Sequence, residues 1–181
     1  LHVEDQVFPK RCGHLDGKDL VSQQAMVEKV QAMARYRLSR DFVIIARTDA
    51  RHVSGFEDAV RRGNAYRDAG ADMIFPEGLQ TEEEFARFAK ECPGPLLANM
   101  TEFGKTPDIA AQRFGELGYQ VVIYPLSMMR VAMGEVARAL AALKRDGSVR
   151  ESLPRMQTRK ELYDLLGYTP GEQWNFPNDR G

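Results

Sequence analysis

The chain has 181 residues, enough for one domain with a hydrophobic core and few for two. Hydrophobic residues make up 43% and charged residues 28%, and the formal net charge is -1. This balance disfavours nucleic acid or an anionic membrane as a partner, and the sequence contains no apolar run of the roughly 20 residues that a membrane helix needs. Cys12 and Cys92 form no CxxC or zinc-binding spacing, so we expect a reducing, cytoplasmic setting.

The chain begins inside an apolar run, Leu1–Val3, and its first residue is not methionine. A native protein rarely begins within a core strand. We therefore expect a preceding segment in a longer parent protein. The alternative is a short protein whose first strand is an exposed edge.

Five short apolar runs punctuate the sequence. They cover residues 1–3, 42–46, 72–75, 95–98 and 121–124. Each is almost uniformly apolar rather than alternating, which is typical of strands buried on both faces of a parallel sheet. The sequence therefore predicts five parallel strands.

Helix start and stop signals lie between these runs. Ser22 and Thr81 are N-cap residues, Glu84 completes a capping-box pattern with Thr81, and Gly70 and Gly118 stop the preceding helices. Predicted helices cover residues 23–37, 57–69, 82–90, 107–117, 128–144 and 155–166. Proline and glycine predict an irregular tail over residues 169–181, which leaves residues 1–168 as the folded domain.

Polar residues follow every predicted strand. They are Glu4, Asp5, Arg47, Thr48, Asp49, Glu77, Asn99, Thr101, Ser127 and Arg130. An open doubly wound sheet concentrates such groups at one switch point, whereas an α/β barrel brings all its strand ends to one mouth. The repetition favours an α/β fold of about five βα units, the C-terminal portion of a (β/α)8 TIM-type barrel.

The loop after the first strand carries the sequence Lys10-Arg11-Cys12-Gly13-His14. Cations next to a thiol favour its ionised form, and glycine lets the backbone approach a ligand closely. The loop is therefore a candidate catalytic segment. The alternative is a solvated basic loop with an incidental cysteine.

Six motifs resemble the isocitrate lyase and phosphoenolpyruvate mutase superfamily, and most closely its methylisocitrate lyase branch. They are Glu4-Asp5-Gln6 with the Lys10–Leu15 loop, Ala46–Ala50, Phe75–Glu77, Leu97–Glu102, Tyr124–Ser127 with Arg130, and Met156–Arg159 before Glu161–Tyr163. The resemblance runs from residue 1 to about residue 168. Six matches in the same order are far more specific than any one of them.

This resemblance implies a modified α/β barrel whose terminal helix can be swapped between subunits of a homo-oligomer, a dimer or tetramer. It also implies magnesium-dependent, retro-aldol-type cleavage of a 2-hydroxy di- or tricarboxylate, such as 2-methylisocitrate to pyruvate and succinate. Such chemistry needs cations for the carboxylates and a proton donor for the carbanion that departs.

The resemblance also implies a role for individual residues. Cys12 is the catalytic acid, tuned by Lys10 and His14, and the backbone of Gly13 touches the substrate. The remaining substrate-binding residues are Arg47, Glu77, Asn99, Met100, Thr101, Arg130 and Arg159. Their alternatives are an Arg47–Asp49 ion pair, a buried structural Glu77, and solvated helix-face arginines.

Glu4 matches an acid that holds Mg²⁺ through water, and its alternative is a loop or N-cap carboxylate. The principal metal-binding aspartates of the superfamily lie upstream of the Glu4 match, so we expect them outside this chain. The cysteine loop disfavours the phosphonomutase branch, and the compact spacing disfavours isocitrate lyase itself. Alternative functions are 2,3-dimethylmalate lyase, an oxaloacetate hydrolase or decarboxylase, and a non-catalytic barrel scaffold.

Overall fold

The computed structural model describes residues 1–12 and 17–172. The chain divides into two compact units, one from Leu1 to Ser127 and one from Met128 onwards. The first unit contains β1 (His2–Glu4), α1 (Gln23–Tyr36), β2 (Ile45–Thr48), α2 (Ala50–Val53), α3 (Phe56–Asp68), β3 (Met73–Pro76), α4 (Glu82–Glu91), β4 (Leu97–Asn99), α5 (Ala111–Glu116) and β5 (Val121–Ile123). The second contains nearly all of α6 (Ser127–Asp146), a 3₁₀ helix (Arg150–Arg155) and α7 (Arg159–Leu166).

All the strand pairs of the described residues are parallel. Strands β1, β2 and β3 form one sheet in that order, and β4 pairs with β5. A single parallel bridge between Ile74 and Leu96 joins β3 to the beginning of β4, and the Ile74 amide donates to Pro95 O at 3.0 Å. Strands adjacent in sequence are thus adjacent in space. The predicted α/β fold with parallel strands is confirmed.

Aromatic side chains fill the core of the first unit. Phe85 of α4 packs edge-on against Phe114 and Tyr119, with ring centroids 5.0 and 5.4 Å apart. Gly63 of α3 lies so close to α4 that a β-carbon there would come within 3.1 Å of the Cys92 sulfur. Cys92 is fully buried, so this cysteine is a packing residue.

The helix signals were largely correct. The Ser22 and Thr81 hydroxyls each accept a hydrogen bond from the backbone amide three residues later, at 3.1 Å. Gly70 and Gly118 follow helices with φ of +109° and +93°, a backbone conformation that favours glycine. The predicted capping box at Thr81 was wrong in its second half, because the Glu84 carboxylate accepts from the Gln80 amide and from Arg51 instead.

Two predicted helices were too long. Residues 107–110 precede α5 rather than belong to it, because Thr106 Oγ1 donates to Leu79 O at 2.8 Å and buried Ile109 donates to the Met100 sulfur. The helix predicted over residues 155–166 is not continuous: residue 155 ends the 3₁₀ helix, and α7 begins only at Arg159. Thr158 and Glu161 form a reciprocal capping box that begins α7 at Arg159, a signal that the sequence contained and the prediction missed.

None of the helices in the described ranges is both long enough and apolar enough to cross a lipid bilayer.

Candidate active site

The base of the cysteine loop is held by strand-like hydrogen bonds. Val7 N donates to Asp19 O at 2.8 Å, and Val21 N donates to Asp5 O at 2.9 Å. Above this base, the Gln6 side chain both donates to Arg11 O and accepts from Arg11 N, each at 2.9 Å. The backbone is therefore fixed up to the residue before Cys12, whose side chain is exposed. Gly13 and His14 lie outside the described residues, so their roles stay predictions.

Arg47 is at the centre of the polar cluster at the strand ends. Its Nε and Nη2 atoms donate to the two carboxylate oxygens of Asp49, both at 2.9 Å. Its Nε atom also lies 3.5 Å from Glu4 Oε2 and 3.9 Å from Glu77 Oε2. The guanidinium stacks over the Phe75 ring at 5.3 Å from its centroid.

The acids around Arg47 keep its guanidinium charged. Burial alone lowers the pKa of Arg47, but the hydrogen bond to Asp49 and the charges of Glu77, Asp49 and Glu4 outweigh it and raise that pKa. The Arg47–Asp49 ion pair that the sequence offered as an alternative is present. It uses two of the N–H donors of the guanidinium fork, so other donors remain for a ligand carboxylate.

A second chain of contacts links β3 to β4. Asn99 Nδ2 lies 3.3 and 3.2 Å from the two oxygens of the Glu77 carboxylate, which is buried. Thr101 Oγ1 donates to Asn99 Oδ1 at 3.3 Å. The Met100 side chain points into the core, where its sulfur accepts from Ile109 N. The structure thus brings together the Glu4, Arg47, Glu77 and Asn99 side chains that the sequence singled out.

Glu4 carries the feature that bears on magnesium. Its Oε1 atom is 3.3 Å from Lys10 Nζ, whereas Oε2 is buried and accepts no hydrogen bond within residues 1–12 and 17–172. Mg²⁺ keeps several of its waters, so a carboxylate oxygen of this kind fits an ion held through water. The described part of the chain contains no group of three or more His, Cys, Asp or Glu side chains that could hold a metal ion directly.

Two charged residues near Arg47 had no role assigned to them from the sequence. Lys18 is buried, with Nζ 4.0 Å from Asp49 Oδ1, and its burial lowers its pKa although Asp49 and Glu77 oppose that change. Asp5 is fully buried and binds Thr48, the Asp49 amide, Arg62 and Tyr66. A lysine among loop residues and an acid within a recognised motif gave no local sign of burial.

His52 of α2 lies in the same region. Burial lowers its pKa to about 4, helped by the positive charges of Lys18, Lys105 and Arg51. The imidazole is therefore neutral at neutral pH, and its Nε2 atom accepts or donates no hydrogen bond to any described residue.

Three further polar residues were predicted around the end of β5 and beyond. Ser127 is buried at the end of the first unit, and its hydroxyl has no hydrogen-bond partner among the described residues. Arg130 lies near the beginning of α6, and Arg159 is the first residue of α7, both in the second unit. Their substrate-binding roles stay predictions.

Parallel βα units with an arginine, carboxylates and an amide meeting at the strand ends define an α/β protein with a polar strand-end site. The phosphoenolpyruvate phosphomutase family model matches residues 1–144. The chain belongs to this family, within the phosphoenolpyruvate mutase and isocitrate lyase superfamily.

Individual relatives agree with this assignment. The chain is 49% identical over 168 residues to 2-methylisocitrate lyase of Aeropyrum pernix, covering 93% of this chain and 54% of that protein. The crystal structure of a 2,3-dimethylmalate lyase superimposes with a TM-score of 0.81 at 40% identity, over 92% of this chain and 56% of the other. A phosphonopyruvate hydrolase solved with oxalate and Mg²⁺ superimposes with a TM-score of 0.74 at 34% identity, over 92% of this chain and 58% of the other.

The chain thus spans little more than half the length of the relatives that it matches.

Proposed function

We propose that the protein carrying this chain is a magnesium-dependent carbon–carbon lyase. It cleaves a 2-hydroxy di- or tricarboxylate, preferably 2-methylisocitrate to pyruvate and succinate, in the cytoplasm. The observation that carries the proposal is the contact of Arg47 with Glu4, Asp49 and Glu77 at the ends of parallel strands, in a chain 49% identical to a 2-methylisocitrate lyase.

Arg47 is the proposed carboxylate clamp. A guanidinium fork suits bidentate pairing with a carboxylate, and the contacts with Asp49 and Phe75 hold it in one orientation. Asn99 and Thr101 are the proposed ligands of the dicarboxylate half, on a segment anchored by buried Met100. Glu77 fixes the Asn99 amide, so that its direction is set before the substrate arrives.

The charge balance of the cluster explains why further cations belong to the proposal. The carboxylates of Glu4, Asp49 and Glu77 formally cancel the cations of Lys10, Lys18 and Arg47. A polycarboxylate needs additional positive charge to leave water for such a site. On the ground of the resemblance, we assign this task to Arg130, Arg159 and Mg²⁺.

Magnesium, when bound, supplies positive charge for the oxygens of the 2-oxo acid product. Glu4 is the described residue that would hold the ion, through water at the Oε2 atom that has no hydrogen bond within the described ranges. The direct protein ligands, in this proposal, come from outside residues 1–12 and 17–172.

Cys12 is the proposed proton donor. A base removes the proton of the substrate's 2-hydroxyl group, and that oxygen becomes the carbonyl of the 2-oxo acid as the carbon–carbon bond breaks. The electron pair of the broken bond stays on the carbon next to the carboxylate of the other fragment. The Cys12 thiol gives its proton to that carbon and becomes a thiolate, which cations in the loop stabilise. Lys10, which is among the described residues, is the first candidate for stabilising the thiolate. His14 is the second candidate, on the ground of the resemblance. The backbone of Gly13 would contact the same substrate.

The barrel is also a proposal. Strands β1 to β5 pair in chain order and in parallel, which supports the C-terminal portion of a (β/α)8 barrel rather than a doubly wound sheet with a switch point. We propose residues 1–168 as this lyase domain and residues 169–181 as its irregular tail, of which residues 173–181 lie outside the described residues.

We also propose a homo-oligomer, a dimer or tetramer, with the α7 helix packed on a second subunit. Leu162, Leu165 and Leu166 on α7 are exposed, Leu165 to 70%. A monomer rarely leaves neighbouring leucines of one helix in water.

The native protein should therefore sediment as a dimer or tetramer at micromolar concentration, and Leu165→Asp should shift it towards monomer. The control is Lys160→Ala on the same helix, which removes only an exposed ion pair with Asp164 and should leave the oligomer intact. A native monomer, or equal effects of the two substitutions, would show that α7 forms no interface.

The function itself is tested by assaying the native protein with Mg²⁺ against 2-methylisocitrate, isocitrate, 2,3-dimethylmalate and oxaloacetate. We expect the highest kcat/KM with 2-methylisocitrate, with release of pyruvate and succinate in equal amounts. A higher value with dimethylmalate or oxaloacetate would favour that branch of the superfamily. Cleavage of none of the four would favour the non-catalytic scaffold and contradict the proposal.

A further inference from the structure

We propose that a buried network of Asp5, Arg62 and Tyr66 positions Asp49 and, through Asp49, the substrate-binding arginine Arg47. This inference rests on the proposed function, since the task of Arg47 is to bind a substrate carboxylate. The three are positioning residues: Asp5 touches Asp49, which holds Arg47, and Arg62 and Tyr66 touch Asp5.

The Asp5 carboxylate is the centre of the network. It is fully buried, and its Oδ1 atom accepts the backbone amide of Asp49 at 2.9 Å. Its Oδ2 atom accepts from Thr48 Oγ1 at 2.8 Å and from the Tyr66 hydroxyl at 2.7 Å. One carboxylate from the end of β1 therefore fixes both the last residue of β2 and the residue that follows it.

Helix α3 supplies the other side of the network. Arg62 and Tyr66 are one helical turn apart and face the same way, and both are buried. Arg62 Nη1 lies 3.2 Å from Asp5 Oδ2 and donates to the Tyr66 hydroxyl and to Val21 O, both at 3.0 Å. Its Nε atom donates to Asp58 Oδ2 at 3.0 Å.

The network matters for substrate binding because Asp49 connects it to Arg47. The Asp49 amide is held by Asp5, and the Asp49 carboxylate holds the Arg47 fork at two points. A shift of the Asp49 backbone is thus passed directly to the guanidinium. Misplacement of a binding group by about 1 Å can cost about 100-fold in rate, so a network that prevents the shift contributes to catalysis and not only to stability.

Tyr66→Phe separates the two contributions, because it keeps the buried ring and removes only the hydroxyl. We expect kcat/KM for the proposed substrate to fall about tenfold, mainly through a higher KM. The matched control is Tyr119→Phe in the same unit. The Tyr119 hydroxyl is also buried and donates to Phe85 O at 3.2 Å, away from the network. Tyr119→Phe should lower the urea midpoint of unfolding about as much as Tyr66→Phe does, but it should keep kcat/KM within about twofold of the wild-type value.

A double-mutant cycle sharpens the test. In an Arg47→Lys background, the group that the network positions has lost its fork, so adding Tyr66→Phe should lower kcat/KM by less than about twofold. If Tyr66→Phe fails to fold, Arg62→Lys is the second variant to test. It keeps the positive charge but loses the branched contacts of the guanidinium group, and it should raise KM.

Equal kcat/KM for Tyr66→Phe and Tyr119→Phe, or a full tenfold loss retained in the Arg47→Lys background, would overturn the positioning role while leaving the lyase function intact. A wild-type protein that cleaves none of the four hydroxy- and oxo-acids would instead overturn the proposed function, and the positioning role with it.

Discussion

Replacing Cys12 with serine should lower kcat of the native protein by about 10²- to 10⁴-fold, the usual loss when a positioned general acid is removed. Serine is close to cysteine in size, but a hydroxyl is a far weaker acid than a thiol, so protonation of the carbanion becomes slow. KM should change little, because the clamp around Arg47 is untouched. Since the Cys12 side chain is exposed, the free energy of unfolding should stay within about 0.5 kcal/mol.

The matched control is Cys92→Ser, since the chain has two free cysteines in opposite environments. Burial raises the pKa of Cys92, although Arg67 partly opposes that change, and the Cys92 sulfur packs close to Gly63. A hydroxyl in place of the sulfur puts a more polar group at this fully buried position, where Arg67 only partly offsets the cost of burial. This variant should therefore be less stable by about 1 kcal/mol and keep its kcat. Near-normal kcat in a folded Cys12→Ser protein would remove Cys12 from the mechanism, and the loop would then only bind substrate.

The second large effect is expected for Arg47→Lys. Lysine keeps the positive charge that the buried Asp49 carboxylate requires, so the variant should fold. It cannot form the two-point contact with Asp49 and at the same time present a planar fork to a substrate carboxylate. Losing such a buried charged contact costs about 2–3 kcal/mol, which corresponds to a decrease in kcat/KM of about 30- to 160-fold.

Arg51→Lys is the control that removes a guanidinium group from a two-point ion pair elsewhere in the same unit. Arg51 makes an equivalent two-point contact with Glu84, its Nε atom lying 2.9 Å from both carboxylate oxygens. That pair is partly exposed, and the hydrogen bonds of Arg51 go to Glu84 and Gln80 rather than to the acids around Arg47. Arg51→Lys should therefore cost at most about 1 kcal/mol of stability and leave kcat/KM unchanged. Equal kinetic effects of the two substitutions would mean that Arg47 has a structural role alone.

Local signals allowed much of the fold to be predicted. The apolar runs, the caps at Ser22 and Thr81 and the stops at Gly70 and Gly118 depend on residues within about four positions of each other, so they can be read directly. Residues 107–110 were wrongly predicted as helical. Their non-helical conformation depends on contacts with Leu79 and Met100, which are distant in sequence and leave no local signal.

The candidate site was predicted by residue but not by partner. The motifs singled out Glu4, Arg47, Glu77 and Asn99, and the structure brings these four together. The sequence left open whether Arg47 pairs with Asp49, and it gave Lys18 no role. The choice of partner depends on strand register, and Glu4 is opposite Arg47 only because β1 and β2 pair in parallel in that register.

The sequence by itself determined the order of strands and helices, the cysteine loop and the polar residues at the strand ends. The reason is that hydrophobic period, capping and motif identity are properties of neighbouring residues. Only the tertiary structure decided which of the charged groups are buried and what they bind. Asp5 and Tyr66 are 61 residues apart and meet at 2.7 Å because α3 packs against β2 and β3, and β1 pairs with β2. No local pattern encodes that distance, since it follows from the packing of whole elements.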